Sequence, residues 1–424
     1  MTNQINLRLA DEYALVDQPV SLLVTGCEPL ADVMVDASIE FGDGTYVSRA
    51  LFRADDRGHV DTAMHASLAG TYTGVDPFGL WWSGERVGSA RPTPPLAPVV
   101  ARLRAQSAAS AGEAVVGRAW VGSGVSLTRV EAPGVQGLFA LPGGEGPFPA
   151  IVAFGGSGGG LGPAAGWAAL LASRGFASLA IGYFGAPNLP PDLVGIEVEV
   201  VERAIAWLQQ RPDVAPRIGV MGISRGSELA MLAGALLDNV DTVVAFAPSG
   251  VVWSGLGQAG PIDVPAWTFR GKPLPYAMTS PLGGGLDARA PFALRPMFDA
   301  ALQNQAMIES AEIPVERLRG PLLLVSGGAD AMWPSTPMAE IAERRAERFH
   351  ARQPVVHLRY PDAGHVGSGP PGTPLVTTAL HPLTGGFYDF GGTRAANACA
   401  RADSWPRVIE FLKNALWLNE SRRL

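Results

Sequence analysis

Two rhythms of apolar and polar positions divide the chain. Through about the first 115 residues they alternate in short runs, as in Val20-Ser21-Leu22-Leu23-Val24-Thr25, Met34-Val35-Asp36-Ala37-Ser38-Ile39-Glu40-Phe41 and Gly70-Thr71-Tyr72-Thr73-Gly74-Val75, with Gly, Pro and Asp between them. A period of two belongs to a strand with one buried face, and short strands at this spacing predict an all-β, immunoglobulin-like sandwich. Phe41-Gly42-Asp43-Gly44-Thr45 predicts a tight hairpin in which Asp-Gly takes the positive φ angles. A stretch rich in Ala and Ser at about 105–115 reads as a connector, which sets a sandwich domain at 1–115 and a second domain at 116–424.

In the second domain the rhythm changes. A hairpin at 127–142 is followed by unbroken apolar runs at 149–154, 176–183, 217–221 and 241–247, with helix-like segments at 164–174 and 195–211 between them. Apolar strands alternating with helices specify a mostly parallel, doubly wound α/β sheet covered on both faces. Ligands bind at the carboxyl edge of such sheets. Residues from about 249 to 313 interrupt the pattern with Pro, Gly and the aromatics Trp253, Trp267, Phe269, Tyr276, Phe292 and Phe298. This is a cap-like insertion, whose aromatics either wall a pocket or fill a small core of their own. A closing helix runs from Trp405 to Trp417.

Composition narrows the function. At 424 residues the chain exceeds one ordinary core, and 47% hydrophobic with 17% charged residues is globular. The balance of 32 basic against 39 acidic residues, a net charge of −7, gives nucleic acid no reason to bind. Cys27 and Cys399, taken as buried small hydrophobes in different domains, suit a reducing compartment. The amino terminus has no charged start and apolar core of a secretory signal, no apolar run is long enough to span a bilayer, and Ser421-Arg422-Arg423-Leu424 is not a Ser-Lys-Leu address. Cytoplasm is the expectation. No His or Cys pair has metal-ligand spacing, and the glycines at 155–160 lack the Lys-Ser/Thr of a phosphate loop, so neither a metal nor a nucleotide cofactor is expected.

The chemistry concentrates at Gly222-Ile223-Ser224-Arg225-Gly226. An apolar strand enters this motif and a helix-like run, Ser227 to Ala233, leaves it, which is the setting of a nucleophile elbow. The turn strains its central residue and leaves no room for bulky neighbours, so Ser224 is expected to stand exposed above the sheet. Gly155-Gly156-Ser157-Gly158-Gly159 matches the same pattern. Its run of glycines suits a loop whose N–H groups face an anion, so Ser157 reads as loop and Ser224 as nucleophile. The backbone N–H groups of Arg225 and of the loop at Gly156 would then form the oxyanion hole.

An α/β-hydrolase orders its triad as Ser, acid, His. Four histidines follow Ser224. His350 ends a charged helix, His357 lies within a strand, and His365 follows that strand on the turn Tyr360-Pro361-Asp362-Ala363-Gly364-His365. His381, in a Pro/Gly-rich loop, is the rival. The apolar strand from Pro321 ends in glycines and Asp330, which makes Asp330 the acid, with Asp362 as the alternative. In this arrangement His365 takes the Ser224 proton and Asp330 orients the imidazole.

Several separated stretches resemble one family, the acyl-CoA thioesterases and bile acid-CoA:amino acid N-acyltransferases. They are Gly79-Leu80-Trp81-Trp82-Ser83, Phe154 to Gly159, Ile313 through Asp330 to Trp333-Pro334-Ser335, and Gly391-Gly392-Thr393 with Asp403-Ser404-Trp405. The resemblance spans nearly the whole chain and implies the same trio, Ser224, Asp330 and His365. It also implies a small acyl thioester, acyl-CoA above all, as substrate. Conjugating members carry cysteine where this chain has Ser224, so serine leans toward hydrolysis. A transferase passing the acyl group to an amino acid is the second reading, and an idle hydrolase fold that only binds is the third.

Overall fold

The computed structural model describes residues 4–279 and 290–417; residues 280–289 of the predicted insertion and the end of the chain from 418 lie outside the described residues. Two compact units emerge. One comprises the chain up to Gly122 together with Pro370–Val376, and the other Ser123–Gly369 with the chain from Thr377 on.

The first unit contains β1 (Asn6–Leu9), β2 (Leu22–Thr25), β3 (Asp32–Phe41), β4 (Gly44–Arg53), β5 (Val60–Asp61), β6 (Ala69–Gly70), the short helix α1 (Gly79–Trp82), β7 (Glu85–Ser89), β8 (Val99–Gln106) and β9 (Ala111–Arg118). They form two sheets, ordered β1-β2-β5 and β6-β4-β3-β8-β9, with β7 also paired to β4. Strand β8 alternates buried and exposed residues without a break, as a half-buried strand requires.

Three details differ from the expectation. The Ala- and Ser-rich stretch is not a connector but the β8-β9 hairpin, with Gln106 opposite Ala111. Glycine is required at 112, because a Cβ there would lie 1.9 Å from the Ile5 carbonyl oxygen. Of Gly70–Val75, only Gly70 lies on a ladder strand; Ser67 Oγ ties back to the Ala69 and Tyr72 carbonyls and closes the rest into a turn. In the β3-β4 hairpin the positive φ (60°) falls on Gly42, the first turn residue, while Gly44 already pairs with Phe41.

In the second unit the order is β10 (Ser126–Ala132), β11 (Val135–Leu141), β12 (Phe148–Phe154), α2 (Ala164–Ala172), β13 (Ala177–Gly182), β14 (Ile196–Glu197), α3 (Glu199–Gln209), β15 (Val214–Ile223), α4 (Arg225–Leu236) and β16 (Thr242–Phe246). The insertion follows as β17 (Ser254–Gly257), β18 (Gly260–Pro265), β19 (Trp267–Phe269), β20 (Lys272–Pro273), α5 (Arg295–Ala301) and α6 (Gln305–Ala311). Then come β21 (Leu322–Gly327), α7 (Ser335–Arg348), β22 (Val355–Tyr360), β23 (Thr378–Leu380), β24 (Phe387–Asp389) and α8 (Arg394–Leu416).

Eight strands form one sheet in the order β10-β11-β13-β12-β15-β16-β21-β22. The β10-β11-β13 pairings are antiparallel, and every pairing from β13 to β22 is parallel. β13, β16 and β21 are buried at every position, because helices cover both faces. Helix α3 shows the matching stripe, with Val201, Ala204, Ile205 and Leu208 buried at helical spacing. From β12 the chain steps to β13 on one side and then crosses to β15 on the other. That reversal makes the crevice between the carboxyl ends of β12 and β15 the place where such a sheet binds ligands.

Helix α8 starts at Arg394, eleven residues before the expected Trp405, capped by Thr393 Oγ1 accepting from the Ala396 N–H. Pro406 lies inside it rather than at its start; a proline there costs about 3 kcal/mol, which burial of Trp405, Val408, Ile409 and Leu412 offsets. Cys27 is buried as expected, whereas Cys399 on α8 is exposed. Among the described residues no helix is long and apolar enough to cross a membrane.

Candidate active site

Strand β15 delivers the elbow directly beside the loop that follows β12, since Phe154 pairs with Gly222. Ser224 sits at φ 55° and ψ −124°, a conformation that costs a non-glycine residue roughly 1–3 kcal/mol. Both glycines of the motif are sterically required. A Cβ at Gly222 would lie 2.1 Å from the Gly226 carbonyl oxygen, and one at Gly226 would lie 2.1 Å from that of Gly155. Hydrogen bonds brace the turn: the Ser224 N–H donates to Phe246 O at 2.9 Å, and Ser227 Oγ–H donates to Ser224 O at 2.6 Å.

Ser224 does not stand exposed; only 8% of it is accessible. It opens into a pocket of about 680 Å³, mouth included, walled by the insertion residues Trp253, Leu256, Leu294, Met297 and Phe298 and by Met332. The insertion aromatics serve both of the roles considered. Trp253 and Phe298 line the pocket and, with Trp333, Ile308 and Ile341, also fill a core of their own.

The acid and the histidine meet at this pocket. His365 Nδ1 lies 2.9 Å from Asp330 Oδ2, while Asp330 Oδ1 accepts the N–H groups of Met332 (2.9 Å) and Trp333 (3.2 Å). Asp330 is fully buried. Its carboxylate can only accept, so the imidazole proton sits on Nδ1 and Nε2 keeps a free lone pair. Asp362, the alternative acid, is exposed.

The two loops are clamped by the Gly391-Gly392 pair singled out from the sequence. Asp330 bridges to Gly391 and Ala363 to Gly392, and a Cβ at either glycine would fall within 2.4 Å of backbone, on Ala329 O and Gly364 N respectively. Asn397 on α8 completes the clamp, its Oδ1 accepting the Gly364 N–H at 2.7 Å.

Tyr183, at the carboxyl end of β13, was not anticipated; its position at the ligand edge was the only signal. Its hydroxyl lies 2.8 Å from Gly155 O and 3.2 Å from Gly156 O and donates between them. Trans peptides point N–H opposite to C=O, so the N–H groups of Gly156 and Ser157 are turned away from Tyr183. Gly156 packs on the elbow, since a Cβ built there would be 3.1 Å from Ser224 Cβ. The N–H of Arg225, first in α4, has no intrahelical acceptor. These are the two groups expected at the oxyanion hole.

The Arg225 side chain has a separate task. Its guanidinium donates to the carbonyls of Trp253 (2.9 Å) and Ser254 (3.0 Å) and pairs with Glu228 at 3.1 Å. Glu228 also accepts Trp267 Nε1–H at 2.9 Å. Burial outweighs the pairing: it pushes Glu228 up to about 7 and lowers Arg225. Two charged residues in an otherwise apolar helix were the visible trace of this tether between elbow and insertion.

The remaining histidines separate cleanly. His381 Nε2 lies 2.9 Å from Ser157 Oγ, and both line the pocket. His357 lies in β22 as expected, between Glu343 Oε2 (2.9 Å from Nδ1) and Ser326 Oγ (2.6 Å from Nε2). That array mimics a triad, but Ser326 is buried and its hydroxyl is also bonded to Thr336. His350 lies just past the end of α7.

A mostly parallel eight-stranded sheet, with a strained serine turning from β15 into α4 at its switch point, makes this protein an enzyme of the α/β-hydrolase class. Within that class the chain belongs to the acyl-CoA thioester hydrolase/BAAT family. Residues 196–417 match the model described as BAAT / Acyl-CoA thioester hydrolase C terminal, and residues 17–132 match the family's N-terminal region. The mouse peroxisomal succinyl-coenzyme A thioesterase is 30% identical, over 96% of this chain and 95% of its own. Human acyl-coenzyme A thioesterase 1 is also 30% identical, over 94% of each chain. Mouse acyl-coenzyme A amino acid N-acyltransferase 2 is 29% identical over 99% of each.

Proposed function

We propose that this protein hydrolyses acyl thioesters, acyl-CoA above all, through an acyl-Ser224 intermediate. The observation that carries the reading is the His365 Nδ1–Asp330 Oδ2 contact, at 2.9 Å, on the pocket into which the strained Ser224 opens. In this mechanism Ser224 Oγ adds to the thioester carbon and its proton passes to His365 Nε2. Asp330 holds the imidazole and stabilises its charge. The N–H groups of Arg225 and Gly156 receive the negative oxygen. Collapse breaks the carbon–sulfur bond, and His365 returns its proton to the leaving thiolate. Water then gives a proton to His365 Nε2 and adds to the acyl carbon; the bond from that carbon to Ser224 Oγ breaks, the proton returns to Ser224 and the free acid leaves. The acyl chain lies along Leu256, Leu294, Met297 and Phe298, and no cofactor is called for.

Serine favours hydrolysis over transfer, because an oxygen-ester intermediate acylates amines poorly and a thioester does so readily. The cytoplasm and lipid metabolism are the setting of this reading, in keeping with two free cysteines. A division of labour between a sandwich domain and a catalytic domain belongs to the same proposal, with the boundary expected at about residue 115 moved beyond β9, to where the first unit ends at Gly122.

A panel of acyl-CoA chain lengths with free-thiol detection, run with and without glycine or taurine, tests it. Ser224→Ala should lose turnover and fluorophosphonate labelling. Ser224→Cys should slow hydrolysis and raise the fraction of amide product. Efficient amide formation by the unaltered enzyme would replace hydrolysis with transfer.

A further inference from the structure

Ser157 and His381 form a second serine–histidine pair on the same pocket, and its wiring differs from that of His365. His381 Nδ1 accepts the Thr384 N–H at 3.3 Å. A backbone N–H can only donate, so Nδ1 is bare and the ring proton is on Nε2, aimed at Ser157 Oγ at 2.9 Å. The turn that carries the ring is fixed in turn, with the His381 N–H donating to Gly386 O at 2.8 Å and the Gly385 N–H to His381 O at 2.9 Å. Burial, reinforced by His365, holds His381 down at about 4, so the ring stays a neutral donor at ordinary pH.

A pair connected this way does not generate a nucleophile, because the imidazole offers the hydroxyl no lone pair. It does the reverse. Nε2–H occupies one lone pair of Ser157 Oγ and leaves the hydroxyl proton to be donated elsewhere. Among the described residues no protein acceptor takes that proton, and Ser157 shares the pocket with Ser224, Arg225 and His365. Its chain neighbour Gly156 packs on Ser224.

From this geometry we infer that the Ser157 hydroxyl is a third donor to the substrate's carbonyl oxygen, added to the backbone N–H groups of Arg225 and Gly156, with His381 as its positioning residue. The inference rests on Ser224 being the nucleophile. As Ser224 Oγ bonds to the acyl carbon, the carbonyl π pair moves onto oxygen and the Ser224 proton moves to His365. Ser157 keeps its own proton and shares it with the new oxyanion, an interaction stronger in the transition state than in the bound substrate.

The test compares the full-length enzyme with Ser157→Ala, Ser157→Thr and His381→Phe. It uses an acyl-CoA and a short p-nitrophenyl ester as substrates and a trifluoromethyl ketone, which forms a tetrahedral adduct, as inhibitor. Ser157→Ala should lower kcat about 10- to 100-fold with KM little changed, and weaken the ketone by a similar factor. Ser157→Thr should recover much of both, and His381→Phe should lose part of both. Unchanged kcat in Ser157→Ala, or a loss confined to KM with ketone affinity intact, overturns the inference while leaving Ser224 in place. Fluorophosphonate labelling that vanishes in Ser157→Ala and survives in Ser224→Ala overturns the nucleophile assignment as well.

Discussion

At the residue scale, the orientation of hydrogen bonds decides what each polar group can do. Asp330 Oδ1 is held by two backbone N–H groups, so in Asp330→Asn the amide oxygen stays there and the NH2 faces His365 Nδ1. The ring must then carry its proton on Nε2, where it cannot accept from Ser224. Steady-state kinetics should show kcat reduced by roughly four orders of magnitude, with KM little altered. His381 gives a different signature. Its folded pKa, about 4, lies below the ordinary value of 6.5, so unfolded chains take up the proton first. The stabilisation is complete above about pH 6.5 and is lost as pH falls through 6.5 toward 4. Urea midpoints measured between pH 7.5 and 4.5 should fall less steeply in His381→Gln than in the parent.

At the element scale, the site is a meeting of strand ends held by helices at the other side of the chain's sequence. Helix α8 reaches back through Asn397 to the turn carrying His365, and the Gly391-Gly392 approach joins that turn to the Asp330 loop. Asn397→Ala would leave the Gly364 N–H buried without its acceptor. Denaturation should register a loss of about 1–3 kcal/mol. If the clamp also aligns His365, kcat falls beyond what the remaining folded fraction accounts for, and KM holds. A variant with lowered stability but full kcat per folded molecule would restrict Asn397 to stability alone.

For the whole molecule, Ser224, Asp330 and His365 all lie in the second unit, whereas Pro370–Val376, late in the chain, cluster with the first. A chain that begins at Ser123 therefore keeps every group of the proposed chemistry but strands a segment that belongs elsewhere. Low solubility is expected. The soluble fraction should still cleave an activated short ester, at a rate per fluorophosphonate-labelled site within about tenfold of the intact enzyme. A labelled but inert fragment would show that the first unit contributes to the reaction itself.

Legible from the residues alone were the alternation of strands and helices and the turn with its two required glycines, and with them the proposed order of serine, acid and histidine. These are local matters: a period of two or 3.6, a turn with no room for Cβ, and a polar residue just past a strand end all act over a few neighbouring residues. The sequence stopped short at the start of α8, placed at Trp405 where the helix begins at Arg394, and at the β8-β9 hairpin, where small residues looked like a linker. Three-dimensional packing was needed to show that Gly112 must clear Ile5, that Tyr183 orients the peptides at Gly155 and Gly156, and that Arg225 and Glu228 tie the elbow to the insertion. The tautomer that distinguishes His381 from His365 was decided there too, by Thr384 on one ring and Asp330 on the other. Each of these depends on two groups meeting within about 3 Å, mostly across long stretches of sequence, and that distance exists only once the sheet has brought its strand ends together.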